Sequence, residues 1–209
     1  FVEFDLEAMM NGEVYSDFVL LWLTLHQSRL ESERPHDAIL EQWSQQAAEE
    51  GARALDTLRN GVERAIGHLG RGFLAHPANS ELRQALKQGE LTTQDYYRQL
   101  LRLVYRLLFL FVAEDRDLLL APDANDEAKQ RYEHYSTKRL RDLADTIPGG
   151  RHPDRYEALK IIMRSLGSDE GAPGLGLPPL GGFLFSERAT PHLMHAQLAN
   201  GHLLHAIRA

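Results

Sequence analysis

Several clusters in this 209-residue sequence have residue types and spacings that could carry chemistry. Glu127-Ala128-Lys129, with Asp117, Asp123 and Asp126 upstream, spells the acidic-x-Lys half of a metal-dependent nuclease site. That reaction needs carboxylates to hold Mg²⁺ and an ammonium near the attacking water. A strand normally presents such a triplet, because alternate residues then face one side. Here it opens a charge-rich helical stretch, and a solvated helix start accounts for it better. His192, His195, His202 and His205 include pairs three residues apart, which can share one helix face as zinc requires. Asn200-Gly201 interrupts that run, and no carboxylate or cysteine stands at ligand spacing. Exposed polar histidines are the expectation, and no metal or catalytic residue is assigned.

Charged groups elsewhere fit contacts better than catalysis. Glu114-Asp115-Arg116-Asp117 closes the most apolar helical stretch, where carboxylates face the negative end of the helix dipole. Pairing with Arg116 or with a neighbouring helix is therefore expected of them. Arg98, Arg102 and Arg106 stand four residues apart, and Lys138, Arg139 and Arg141 form a second basic cluster. Both sets are candidate contacts to the DNA backbone, since guanidinium groups suit phosphate geometry. The alternative for the first set is pairing with acidic residues across a bundle. The glycines of Gly171–Gly182 do not make a phosphate-binding loop. No Gly-Lys-Ser/Thr follows, no apolar strand precedes, and the prolines remove amide donors.

The elements that must hold these groups read as an all-α chain. Apolar residues at helical spacing predict a helix over 13–28 and a long amphipathic segment from Asp37 to Leu69, bent or broken near Asn60-Gly61. Ser80 caps a short helix that Gly89 stops. Thr92 and Thr93 open the strongest helix, about 93–116, whose apolar face widens to nearly the whole circumference and places it at the centre of a multi-helix bundle. Residues 126–147 read as one charged helix ended by Pro148-Gly149-Gly150, and 154–166 as another. Gly167–Gly182 holds six glycines and three prolines and reads as a loop, pinned by Leu175, Leu177 and Leu180. Helices over 187–196 and 199–208 are weaker and are expected to lean on partners outside the chain. Phe1 to Phe4 is compatible with one short strand. The 209 residues read as a single domain, with a subdivision near 120–126 as the candidate boundary.

Composition narrows the function classes. Hydrophobic residues are 43% and charged residues 25%, a globular balance. The most apolar run, Leu100 to Ala113, is interrupted by Arg102 and Arg106, so no membrane span is expected. The absence of cysteine excludes disulfides and thiolate metal sites and fits a reducing compartment, with the cytoplasm as the expected location. Net charge is −7, which argues against a surface that coats nucleic acid throughout. Residues 1–91 hold 8 Lys/Arg against 15 Asp/Glu, whereas 92–209 hold 15 of each, so any DNA contact belongs to the second part. Phe1 in place of methionine, and helical patterning up to Ala209, predict a piece of a longer protein.

Three stretches carry a resemblance. They are Phe1-Val2-Glu3-Phe4-Asp5-Leu6-Glu7-Ala8-Met9 with the helix running to His26-Gln27-Ser28-Arg29; Asp95-Tyr96-Tyr97-Arg98-Gln99-Leu100-Leu101-Arg102 through Phe109 to Glu114-Asp115-Arg116; and Leu177-Pro178-Pro179-Leu180-Gly181-Gly182-Phe183-Leu184-Phe185 with Leu198-Ala199-Asn200 to Ile207-Arg208. Together they resemble the region ahead of the methyltransferase domain in large single-chain, type IIG-like restriction–modification enzymes of phage defence. The resemblance implies an endonuclease domain before this region and an adenine-N6 DNA methyltransferase after it. It also implies S-adenosylmethionine and Mg²⁺ as cofactors of the parent protein. That family's glycine-rich cofactor turn and Asn-Pro-Pro-Tyr/Phe tetrapeptide do not occur here, and none of its catalytic residues maps onto this chain. The implied role is a helical connector that positions the two flanking domains and contacts the DNA backbone. A protein–protein interaction module of a parent unrelated to DNA is the alternative.

Overall fold

The computed structural model describes residues 3–12 and 14–209. Among them there are helices and loops without a β-sheet, as the all-α reading expects. Glu3 and Phe4 lie in irregular backbone. Phe1 and Val2, the rest of the short strand considered above, fall outside the described residues, as does Glu13. Two compact units divide between Arg59 and Asn60, not near 120–126.

The first unit holds α1 (Leu6–Met10), α2 (Tyr15–Leu25), α3 (Gln27–Leu30), a 3₁₀ turn at Pro35–Asp37 and the beginning of α4 (Ile39–Ala75). The Asp5 carboxylate accepts the Ala8 amide at 3.0 Å and caps α1. Side-chain order comes from ring contacts, with Trp22 against His26 at 4.6 Å and the Arg29 guanidinium over Trp43 at 5.6 Å. Among the described residues of this unit only Ala38 is buried, and Phe18, Trp22 and Trp43 are exposed. An apolar helix such as α2 thus has no interior of its own to enter.

Helix α4 is continuous over 37 residues, so the break expected near 60 does not occur. A mid-helix glycine costs about 1 kcal/mol against alanine yet keeps its backbone hydrogen bond, and flanking turns carry the ladder across it. Two later glycines answer to packing. A Cβ on Gly70 would meet Leu100 at 3.1 Å, and one on Gly72 would overlap His202 and Leu198 at 2.6 Å.

The second unit continues with α5 (Ser80–Gln88), α6 (Thr93–Asp115), α7 (Asp126–Glu133), α8 (Thr137–Thr146), α9 (Asp154–Gly167), α10 (Gly182–Phe185), α11 (Pro191–His195) and α12 (Asn200–Arg208). Its core is one cluster built on Leu100, Leu103, Leu107 and Leu110 of α6 and on Tyr156, Leu159, Ile162, Met163 and Leu166 of α9. The Thr92 hydroxyl accepts the Asp95 amide at 3.0 Å and starts α6, and Gly89 at φ 78° stops α5. The segment read as one helix over 126–147 is two. Its chain turns at His134–Ser136, where the Ser136 hydroxyl accepts the Arg139 amide at 3.2 Å and caps α8. Helix α12 packs on α8 and α9 and buries Leu203 and Leu204 inside the unit, so it needs no outside partner to be covered. In the glycine- and proline-rich loop Leu177 is buried and bridges Ala172, whereas the Leu180 side chain is exposed.

Helix α6 ends in a Schellman turn. The Leu118 amide donates to Ala113 O at 2.8 Å and the Asp117 amide to Glu114 O at 3.1 Å. Asp117 therefore sits at φ 54°, in the left-handed region that glycine occupies without strain. Asp117→Gly is expected to stabilise the chain by about 1 kcal/mol, read as a higher urea midpoint at unchanged slope.

Candidate nucleic-acid interface

The three arginines of α6 do not share one environment. Each step of four residues turns the side chain about 40° around the helix, since a residue advances it by about 100°. Arg98 points to solvent and pairs with Asp95 at 3.0 Å. That carboxyl is held below its ordinary pKa by the Thr92 hydroxyl first and by Arg98 second. Arg102 is half-buried, donates to Ala189 O at 2.9 Å and lies over the Phe183 ring at 5.2 Å. Arg106 is fully buried, out of reach of a phosphate at the surface, which corrects its assignment as a DNA contact.

Arg106 serves the fold instead. Its Nε donates to Leu184 O at 2.7 Å and one Nη to Ser186 O at 2.8 Å, while the other Nη meets the sulfurs of Met194 and Met163 at 3.4 and 3.9 Å. Leu184 O and Ser186 O belong to the C-terminal end of α10, where the helix dipole favours a cation. Burial pulls the Arg106 pKa down, but a guanidinium keeps its charge in proteins.

The same device repeats along 184–197, a run of short helices (the end of α10, a 3₁₀ turn at Glu187–Ala189 and α11) whose closely spaced ends leave carbonyls and amides without internal partners. Gln99 accepts the His192 amide through Oε1 and meets that residue's ring through Nε2, both at 3.0 Å. Tyr156 donates its hydroxyl to Leu193 O at 3.0 Å, and Lys160 its ammonium to Ala196 O at 3.2 Å. Asn79 both donates to Gln197 O at 2.7 Å and accepts its amide at 2.8 Å. Asn79, Gln99, Arg106 and Lys160 are all buried polar residues, and here each has its reason. We call this set the clasp. Sequence reasoning missed Asn79, Gln99, Tyr156 and Lys160. The signal was there: Gln99, Leu103, Arg106 and Leu110 keep core spacing, as do Tyr156, Lys160 and Met163, so these polar groups had to lie inside.

The second basic cluster stays at the surface in part. Lys138 and Arg139 are exposed in the first turn of α8, with Arg139 donating to His134 O at 3.1 Å. Arg141 is committed, holding Asp115 at 2.5 Å and lying over the Phe111 ring at 5.2 Å. The Asp115 pKa is lowered by that hydrogen bond. Glu114 meets the pairing expected of it by capping α8 from another helix. Its carboxylate accepts the Thr137 amide at 2.8 Å, the Thr137 hydroxyl at 2.7 Å, the Lys138 amide at 2.7 Å and the Tyr132 hydroxyl. Burial first, then Glu114, raises the Tyr132 pKa.

The remaining clusters disperse. Glu127 pairs with Arg131, and Lys129 lies 4.0 Å from the exposed Asp126. Lys129 also rims an open groove of about 530 Å³ floored by Leu119, Leu120 and Pro122. Of the four histidines, His192 is held by Gln99, His195 is exposed, and His202 packs against Gly72. His205 stacks on His68, with ring centroids 5.5 Å apart. Among the described residues no three His, Asp or Glu groups converge on a point that could hold a metal ion, and no helix is long and apolar enough to cross a membrane. No family model, no curated protein and no solved structure matches this chain.

Arg106→Leu leaves two buried carbonyls without a donor and is expected to cost about 3 kcal/mol of stability. Urea unfolding measures the loss, and amide exchange should accelerate first within 184–197. A second prediction concerns His68, whose pKa is held below 6.5 by burial first and by Arg71, His205, His202 and Arg64 after it. The folded state then disfavours the charged ring, so its contribution is complete above pH 6.5 and is lost as pH falls through the lowered folded value. His68→Gln should flatten the fall in melting temperature from about pH 7 to about pH 5.

Proposed function

We propose that this chain is a helical connector of a DNA restriction–modification enzyme, a rigid piece that positions flanking nuclease and methyltransferase domains and rests on the DNA backbone. The clasp carries the reading. It ties the short helices of 184–197 to α5, α6 and α9, and a spacer between two catalytic domains must transmit their geometry without yielding. The resemblance of three stretches to the corresponding region of type IIG-like enzymes supplies the DNA context. In this reading S-adenosylmethionine and Mg²⁺ belong to the flanking domains, and the chemistry is theirs. Backbone contact falls to the outward cations Arg98, Lys138 and Arg139, with Arg102 and Arg141 beside them and Arg106 withdrawn. The exposed Phe18 and Trp22 of α2 favour the alternative of a protein-interaction module whose parent is unrelated to DNA.

Fluorescence anisotropy with a labelled DNA duplex over a series of salt concentrations separates the two. The connector reading expects weak, salt-dependent binding that Lys138→Glu with Arg139→Glu abolishes and that Glu127→Gln leaves unchanged. Binding absent at every salt concentration favours the interaction module. DNA cleavage by the chain itself, lost on changing Glu127 or Lys129, would overturn both.

A further inference from the structure

Helix α6 keeps an apolar row beside the core as well, whose Leu101 and Leu108 pack against the core margin while Tyr105 and Val112 face outward. Tyr105 and Val112 are 50% and 52% exposed, with Leu101 and Leu108 half-buried between and beside them. These four residues follow alternating steps of four and three, the seam spacing of a coiled coil. Arg98 lies one step before Leu101 and Asp115 one step after Val112, so the same seam carries a cation at one end and an anion at the other. It spans about 25 Å at the helical rise of about 1.5 Å per residue.

That charge order selects a partner. Set against a second copy of itself in the parallel sense, the seam would place Arg98 on Arg98 and Asp115 on Asp115. In the antiparallel sense one register brings Leu101 opposite Val112, Tyr105 opposite Leu108, and Arg98 opposite Asp115, each twice about a two-fold axis. Apolar layers then fill the middle and opposite charges close both ends. Arg98 and Asp115 already hold Asp95 and Arg141 at 3.0 and 2.5 Å. The Arg98 pair is exposed and exchanges partners at little cost, whereas Asp115 keeps Arg141 and offers its remaining lone pairs to the second copy, a carboxylate having about four acceptor sites. Phe109, 41% exposed, and Phe183, 58% exposed beside Arg102, border the seam and widen the area two copies would cover.

We propose that the chain forms an antiparallel two-fold dimer through this α6 seam. The proposal does not rest on the DNA reading. Sedimentation of the whole chain over a range of concentrations tests it, with circular dichroism as the control for folding. A reversible monomer–dimer equilibrium is expected, which Tyr105→Asp or Val112→Lys abolishes while the helical spectrum persists. Arg98→Asp and Asp115→Arg should each weaken the dimer by about ten-fold, and the double exchange should restore it. Because the sequence has no cysteine, Leu101→Cys with Val112→Cys should give a disulfide-linked dimer on oxidation. A chain that stays monomeric at all concentrations overturns the proposal. So does a dimer indifferent to Tyr105→Asp, or one that the double charge exchange fails to rescue.

Discussion

The guanidinium of Arg106 is taken out of water without receiving a carboxylate in return. Moving an ion into the interior is expensive, and the cost is met here by two carbonyls at a helix end, two thioether sulfurs and an aromatic ring 5.9 Å away. Each of those groups comes from α9, α10, α11 or the turn after α10, so the cation is satisfied only when all of them are in place. Its demand for ligands thus fixes how the C-terminal part of the second unit sits on α6. Gln99, Tyr156, Lys160 and Asn79 extend that arrangement along the stretch that α10 begins.

Helix α6 solves the opposite problem at its C-terminal end. Glu114 is an anion placed where the dipole of its own helix opposes it, and it recovers by lying at the N-terminus of α8, whose first amides need acceptors. One helix therefore presents a cation to the carbonyl end of α10 and an anion to the amide end of α8. Charge on α6 is an organising element of the bundle as much as its leucines are. The first unit has no counterpart to this, since Ala38 alone is buried among its described residues.

Much of the helical framework was legible. Thr92 and Gly89 marked the boundaries they occupy, and the leucine spacing of α6 identified the core helix, because caps and periodicity are local properties. Three readings differ from the structure for reasons that are also physical. Asn60-Gly61 signals a bend or a break; the helix runs on without a break, and the compact units divide at that point. Ser136 sits inside a charged run that looks continuous by composition, yet it caps α8 and so separates it from α7. Identity and spacing alone make Arg98, Arg102 and Arg106 look equivalent. Their slow rotation around the helix, from solvent at Arg98 to the interior at Arg106, was the better guide. The clasp partners were least legible, because, Glu157 beside Lys160 apart, a side chain that binds a carbonyl oxygen leaves no complementary residue type to find.

The clasp joins residues far apart along the chain, with 118 positions between Asn79 and Gln197, 93 between Gln99 and His192, and 36 between Lys160 and Ala196. None of these bonds can form until α5, α6 and α9 are already assembled, and each must then recover the loop entropy of closing over that distance. The placing of 184 to 197 therefore rests on contacts of high sequence separation, the kind a folding chain closes slowly.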